Sequence, residues 1–393
     1  MGVRKAALAE PPAPWWERVP KDYHRRPVGT EIDRRYPLTT AISAGLDMLT
    51  CTGLGATVGS LLAANMMMPG QNFAREIARL DIYATLAANG AAAASFQAPP
   101  AQVPVIETST VFFGFQPFSI RTSLLSFDSP YEPVDKAIRG PYARMGGGGR
   151  AYAQYWSHRG GARKTLIFVH GFIADPYWFN ARMFGLRKLY QAGYDILLVT
   201  LPFHGYRKAW FEPFSGFGYF SRGMGHINEA MLQAVLDLRI FVDYLLKRGA
   251  PHVGIAGYSL GGYMSAIMAA VEPRLSFAIP MCPVVSVVDA AMDWPSTRLL
   301  FGQFLRLTGL DLPDLRQATA VHSPLTYAPA LPAGRRLIMS ASGDRLTTPR
   351  QVALLRDHWP GSEMYWFPGN HLMHFERAKY QEHMRRFMDR CTA

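Results

Sequence analysis

From about residue 150 onward, short apolar runs alternate with longer stretches at helical spacing, and this alternation constrains the fold more than any other feature. The runs are "KTLIFVHGF" (164–172), "DILLVTLP" (195–202), "HVGIAGY" (252–258), "SFAIPMCP" (276–283), "RRLIMSASGD" (335–344) and "EMYWFPG" (363–369). Runs with no apolar/polar alternation are buried on both faces. Helical patterns fall between them, near residues 178–191, 226–248, from 260, from 350, and about 375–390. Strand and helix in alternation predict an α/β fold: a mostly parallel sheet with helices on both faces. Right-handed crossovers then line up the strand C-termini, and the loops after them, along one edge. The stretch "RAYAQYWSHRG" from Arg150 alternates as an edge strand does.

The alternation lapses at about 284–332. Fifty structureless residues inside a domain are improbable, so one or two helices are expected there, as a candidate cap over whatever site lies on the edge of the strand C-termini. Before residue 105 the grammar differs again, which divides the chain into 1–104 and an α/β domain over 105–393. Residues 1–37 form an arm rich in Pro, Arg and Trp. The segment "MLTCTGLGATVGSLLAANMMM" (48–68) is uncharged, long enough to cross a bilayer, and carries Gly55 and Gly59 at a spacing that permits close helix approach. A second apolar run follows from Ile82. Threonines, Ser60, Asn65 and glycines dilute the first run, which favours an apolar helical pair packed on the main domain. A spanning segment and an interfacial one, through residues 38–98, stay open as alternatives.

The composition is that of a globular chain, with 49% hydrophobic and 18% charged residues among 393. Lys plus Arg exceeds Asp plus Glu by 41 − 29 = 12, so an anionic membrane surface is a candidate partner. The basic residues are scattered and no nucleic-acid-reading motif accompanies them, so nucleic acid is not expected. The cysteines, Cys51, Cys282 and Cys391, are odd in number and without CxxC spacing, which argues against a disulfide framework or a structural zinc and for a reducing compartment. Charges and prolines interrupt every run in the first twenty residues, so no cleaved secretory signal is expected. The expected location is cytoplasmic, with membrane association through residues 38–98 as the variant.

The chemistry centres on Gly257-Tyr258-Ser259-Leu260-Gly261. G-x-S-x-G between a buried strand and a helix is a nucleophile elbow, a turn tight enough to strain the serine and lift its hydroxyl above the sheet edge. A serine that merely caps the helix is the plainer alternative. Serine needs a base and an orienting acid to act as a nucleophile. Asp344 follows one strand and His371 follows the last, giving the order Ser, Asp, His, each directly after a strand of the same parallel sheet. His374 is a rival base, set aside because it is expected to begin the closing helix; Asp289 is a rival acid. Oxyanion donors are expected from the backbone N–H groups of Leu260 and of Phe172, in the "HGF" turn, with His170 in a structural role.

With "FVHGF", "LPFHGYR", "GYSLGG", "SGDRLTTP" and "GNHL" in that order, residues 150–390 resemble an α/β-hydrolase-fold serine hydrolase. The resemblance implies hydrolysis of a carboxylic ester or thioester through an acyl-enzyme, without cofactor or metal. An acyltransferase using the same acyl-serine and a non-catalytic ligand-binding member of the fold are the alternatives. The aromatic- and glycine-rich stretch 203–226 lies on the catalytic edge. Phe203, Tyr206 and Tyr258 are candidate substrate contacts and Arg207 a candidate for an anionic head group, which together suggest a small-molecule or lipid ester.

Overall fold

The computed structural model describes residues 13–27, 37–66, 73–109, 122–144 and 149–393. Nine strands form one sheet: β1 (Ile106–Ser109), β2 (Thr122–Asp128), β3 (Arg150–Trp156), β4 (Thr165–Val169), β5 (Asp195–Thr200), β6 (Val253–Tyr258), β7 (Ala278–Met281), β8 (Leu337–Ala341) and β9 (Glu363–Phe367). Their order is β1-β2-β3-β5-β4-β6-β7-β8-β9. The pairs from β1 to β5 are antiparallel, and those from β5 through β4 to β9 are parallel. The chain steps from β4 to β5 on one side and then crosses to β6 on the other. The C-terminal ends of β4 and β6 therefore flank the switch point, where open α/β sheets form their crevice.

Period-two alternation explains the two covered faces. Ile167, Val169, Leu197, Val199, Val253, Ile255 and Ile338 join one apolar core, while Leu166, Phe168, Ile196, Leu198, Ala256, Ile279 and Met339 join the other. Each fully buried Leu, Ile or Val contributes roughly 1.5–3 kcal/mol relative to exposure. The long helices Met224–Lys247, Leu260–Val271 and Pro349–His358 cover the first face, and Arg377–Cys391 covers the second together with two short helices. Those two, Tyr177–Met183 and Leu186–Gln191, were expected as one. The break comes at Gly185, left-handed at φ 65, where a Cβ would lie 2.7 Å from the Gln381 side chain.

Two expectations are corrected. β3 is not an edge strand: β2 and β1 pair outside it, and β2 buries Leu125 and Phe127 completely. Among the described residues the edge on that side is β1, four exposed residues without apolar alternation, which left no pattern to read. The insertion holds three helices, Val287–Asp293, Pro295–Thr308 and Leu312–Ala320. Their boundaries are set by Pro295 at a helix start, left-handed Gly309, and Asp311 capping the third helix.

Helix α1 (Pro37–Met66) and helix α2 (Phe73–Asn89) carry the apolar N-terminal segment. On α2, Tyr83 is buried in the first core and donates to Glu229 Oε1 at 2.6 Å. On α1, Gly55 and Gly59 meet Pro295–Thr308 of the insertion, where added Cβ atoms would lie 2.4 Å from Ser296 Oγ and 2.3 Å from Leu300 Cδ1. The small-residue spacing thus serves packing within the chain. Residues 37–61 are also long and apolar enough to cross a membrane, by length and composition. The buried stripe of α1 includes Thr40, Ser43, Asp47 and Cys51, whereas Leu38, Ile42, Leu46 and Leu49 face outward.

Candidate active site

Ser259 has φ 57 and ψ −113, a conformation that non-glycine residues seldom adopt. Its neighbours enforce the bend: Ser259 N–H donates to Met281 O at 2.9 Å, and Tyr263 N–H to Ser259 O at 2.9 Å. The glycines are required by close approach. A Cβ on Gly257 would lie 2.3 Å from Gly261 O, and one on Gly261 would lie 2.0 Å from Val169 O. The helix starting at Leu260 leaves its first N–H groups without intrahelical acceptors. The β4 turn lies alongside, because a Cβ on Gly171 would come 3.4 Å from Ser259 Cβ. This places Phe172 one residue from the serine's surroundings. Ser259, Leu260 and Phe172 are half-buried, although Gly257, Tyr258 and Gly261 are buried.

At the ends of β8 and β9, Asp344 and His371 meet through a 2.7 Å hydrogen bond between Oδ2 and Nδ1. Asp344 is completely buried; its Oδ1 accepts from the N–H groups of Leu346 and Thr347 at 2.9 and 2.8 Å, and its Oδ2 from Thr347 Oγ1 at 3.0 Å. Burial alone would lower the His371 pKa, but the Asp344 charge and hydrogen bond, with Asp47 behind them, raise it. The pair joins the elbow through Tyr258: its hydroxyl donates to His371 O, and the two rings stand 4.9 Å apart. Cys282 Sγ, Asp344 and His371 present donor atoms within 4.8 Å of one another, as metal ligands do. Burial and the Asp344 charge hold the Cys282 thiol well above its usual range.

The rivals are placed elsewhere. His374 precedes the closing helix instead of beginning it, and bridges back to Gly369. Its Nε2 bonds Tyr258 Oη at 3.0 Å and its Nδ1 bonds Tyr380 Oη at 3.1 Å. Asp289 is held by Arg316 at 2.6 and 3.0 Å within the insertion. His170 bonds Gly171 O through Nδ1 and accepts the Leu201 N–H at Nε2, a structural role.

The alpha/beta hydrolase family model matches residues 166–382, more than half of the chain. The chain belongs to the alpha/beta hydrolase family. Two uncharacterized proteins of Mycobacterium tuberculosis, from two strains, are 30% identical over 232 residues, 54% of this chain and 51% of theirs. The chain thus spans about half the length of the curated relatives it matches. Among solved structures, acetyl xylan esterase 1 from Thermoanaerobacterium sp. JW/SL YS485 shares the fold, with a TM-score of 0.55 and 16% identity, covering 80% of this chain and 94% of that one.

The structure places the expected substrate contacts as follows. Phe203 is wholly buried, with φ 60, packed edge-on against Tyr142 and Tyr219. Tyr258 lies beneath the elbow, bonded to the histidine loop as above. Arg207 is buried and paired with Asp237 at 2.8 Å, so it faces no ligand. Removing one member of a buried pair leaves an uncompensated charge, so Arg207→Ala is expected to lose about 3–5 kcal/mol of stability. Urea unfolding measures this; unchanged stability with a raised KM would restore a ligand role. Tyr206 is half exposed and stands beside Tyr152 and Tyr177.

Several contributors escaped sequence reading, chiefly Thr347 and Asp47. Asp47 Oδ2 accepts the His371 N–H at 2.9 Å. A signal for it existed, because Asp47 is the sole charged residue in the thirty of α1. A lone carboxylate in an apolar helix marks a site where charge is wanted.

Proposed function

We propose that this hydrolase cleaves carboxylic esters through an acyl-enzyme on Ser259. The observation that carries the reading is the buried Asp344–His371 pair, joined through Tyr258 to a strained serine at the head of a helix. Asp344 fixes the Nδ1–H tautomer, leaving Nε2 to take the Ser259 proton as Oγ attacks the ester carbonyl. The N–H groups of Leu260 and Phe172 receive the oxyanion, each worth about 3–4 kcal/mol in such sites. The imidazolium returns its proton to the departing alcohol. Water, deprotonated by His371, then releases the acid.

A hydrophobic ester suits the rim. Ile173 follows Phe172, Leu372 and Met373 follow His371, and Trp178 stands nearby in sequence, all exposed. With the outward apolar stripe of α1 and the net positive charge, the rim supports a substrate met at an anionic lipid surface. A fluorophosphonate probe is expected to label wild type and not Ser259→Ala. Across an acyl ester panel, kcat/KM is expected to rise by up to about fourfold per added CH2, and further when the ester is carried on anionic vesicles. Labelling that persists in folded Ser259→Ala overturns the nucleophile. Rates that fall with chain length sink the hydrophobic substrate.

A further inference from the structure

We infer that helix α1 is part of the catalytic apparatus, with Asp47 as a positioning residue that clamps together the loops bearing Asp344 and His371. The inference rests on the serine-hydrolase reading above.

Geometry carries it. Asp47 is completely buried, and its Oδ2 accepts two backbone N–H groups, that of His371 at 2.9 Å and that of Arg345 at 3.1 Å. One oxygen thus joins the base itself to the residue after the acid. Neighbouring turns of α1 repeat the attachment: Asn370 Nδ2 donates to Ser43 O, and Cys51 Sγ donates to Arg345 O at 3.1 Å. Gly343 lies so near that a Cβ there would come 2.4 Å from Thr40 Cγ2. Thr40, Ser43, Asp47 and Cys51 form one stripe at three- and four-residue spacing, all turned towards the two loops.

A neutral residue would suffice for packing, and a buried carboxylate is costly. Among the described residues Asp47 Oδ1 has no hydrogen-bond partner. Among the described residues the titratable groups facing Asp47 are His371, Asp344 and Cys51, and Arg345 meets it through its backbone N–H. Burial and then the Asp344 charge push its pKa up to about 6, against the opposing pull of His371 and the two N–H groups. Above that pH two carboxylates confront the imidazole, so the imidazolium formed during turnover is stabilised from two sides.

The test uses the full chain and needs no substrate. Fluorophosphonate labelling rates are measured across roughly pH 5–9 for wild type, Asp47→Asn and Asp47→Ala, with melting curves alongside. Asparagine keeps an oxygen for both N–H groups but removes the charge. Its labelling midpoint is expected to fall by about half a pH unit or more, with the plateau rate within a few-fold of wild type. Asp47→Ala, losing the clamp, is expected to label about tenfold or more slowly at the plateau while remaining folded.

The sign of stability is opposite. A raised carboxyl pKa contributes stability below the unfolded value near 4, and that contribution is lost as pH rises through about 6. Asp47→Asn is therefore expected to melt higher than wild type at about pH 8 and like wild type near pH 4. An Asp47→Asn labelling profile superimposed on wild type overturns the role of Asp47. Failure of wild type to label at all instead overturns the serine-hydrolase reading, and this inference with it.

Discussion

Replacing His371 with alanine should lower kcat by about 10⁴ to 10⁶, whereas His374→Ala should cost less than about tenfold. The two imidazoles are three residues apart, and what separates them is the bonding of their nitrogens. His371 commits Nδ1 to Asp344, and in the proposed mechanism its Nε2 carries the reacting proton. In His374 both nitrogens are taken. Because the Tyr258 hydroxyl already donates to His371 O, it accepts from His374 Nε2–H, and Tyr380 donates to Nδ1. One neutral tautomer satisfies every partner. Burial, followed by the charge of His371, pushes the His374 pKa down to about 3, so it does not exchange protons near neutrality. Its ring packs near Phe184 and Phe367, and truncation there leaves a cavity costing roughly 2–4 kcal/mol of stability. Steady-state kinetics on folded protein separates the roles. Loss of turnover in His374→Ala alone, with His371→Ala active, would transfer the base to the wrong side of Tyr258.

The parallel sheet was legible because its central strands are buried on both faces and write continuous apolar runs. The elbow was legible because its backbone strain demands glycine at fixed offsets, and the order of Ser259, Asp344 and His371 follows from strand succession. Contacts between distant segments left no comparable trace. Arg207 looked free because Asp237 lies a helix away; nothing in the letters around either announces the pairing. The aromatics after β5 read as a substrate pocket, yet Phe203 fills the core: aromatic density does not reveal which face it will occupy. Asp47 lies 324 residues before the His371 N–H it accepts. The same helix that raised a membrane reading through its uncharged length turns its polar stripe inward, and only the fold reveals which stripe meets the loops of Asp344 and His371. Residues chosen for local backbone geometry can be read from sequence with their role, whereas a residue chosen for a remote partner shows at most as an anomaly, as the lone charge of Asp47 does in α1.

Among the described glycines, Gly261→Ala should be the most damaging added methyl, costing about 3–5 kcal/mol or preventing folding. The added Cβ would sit 2.0 Å from Val169 O and 2.7 Å from His170 O. Both atoms are backbone, so no side chain can swing aside. The end of β4 would have to retreat, and with it the Val169–Gly257 register that aligns β4 with β6. The same retreat carries the Gly171 turn and the Phe172 N–H away from Ser259. Any folded fraction should therefore lose about 10²-fold in kcat, the scale of a 1 Å misplacement of a catalytic donor. Gly53→Ala is the matched control: it lies within α1, is exposed, and has nothing within 4 Å of the added methyl. That change should stabilise the protein by up to about 1 kcal/mol through helix propensity. Urea unfolding of the two variants compares one substitution in two settings. Equal stability would mean that β4 and the elbow can part without cost, and the backbone strain at Ser259 would then have no support.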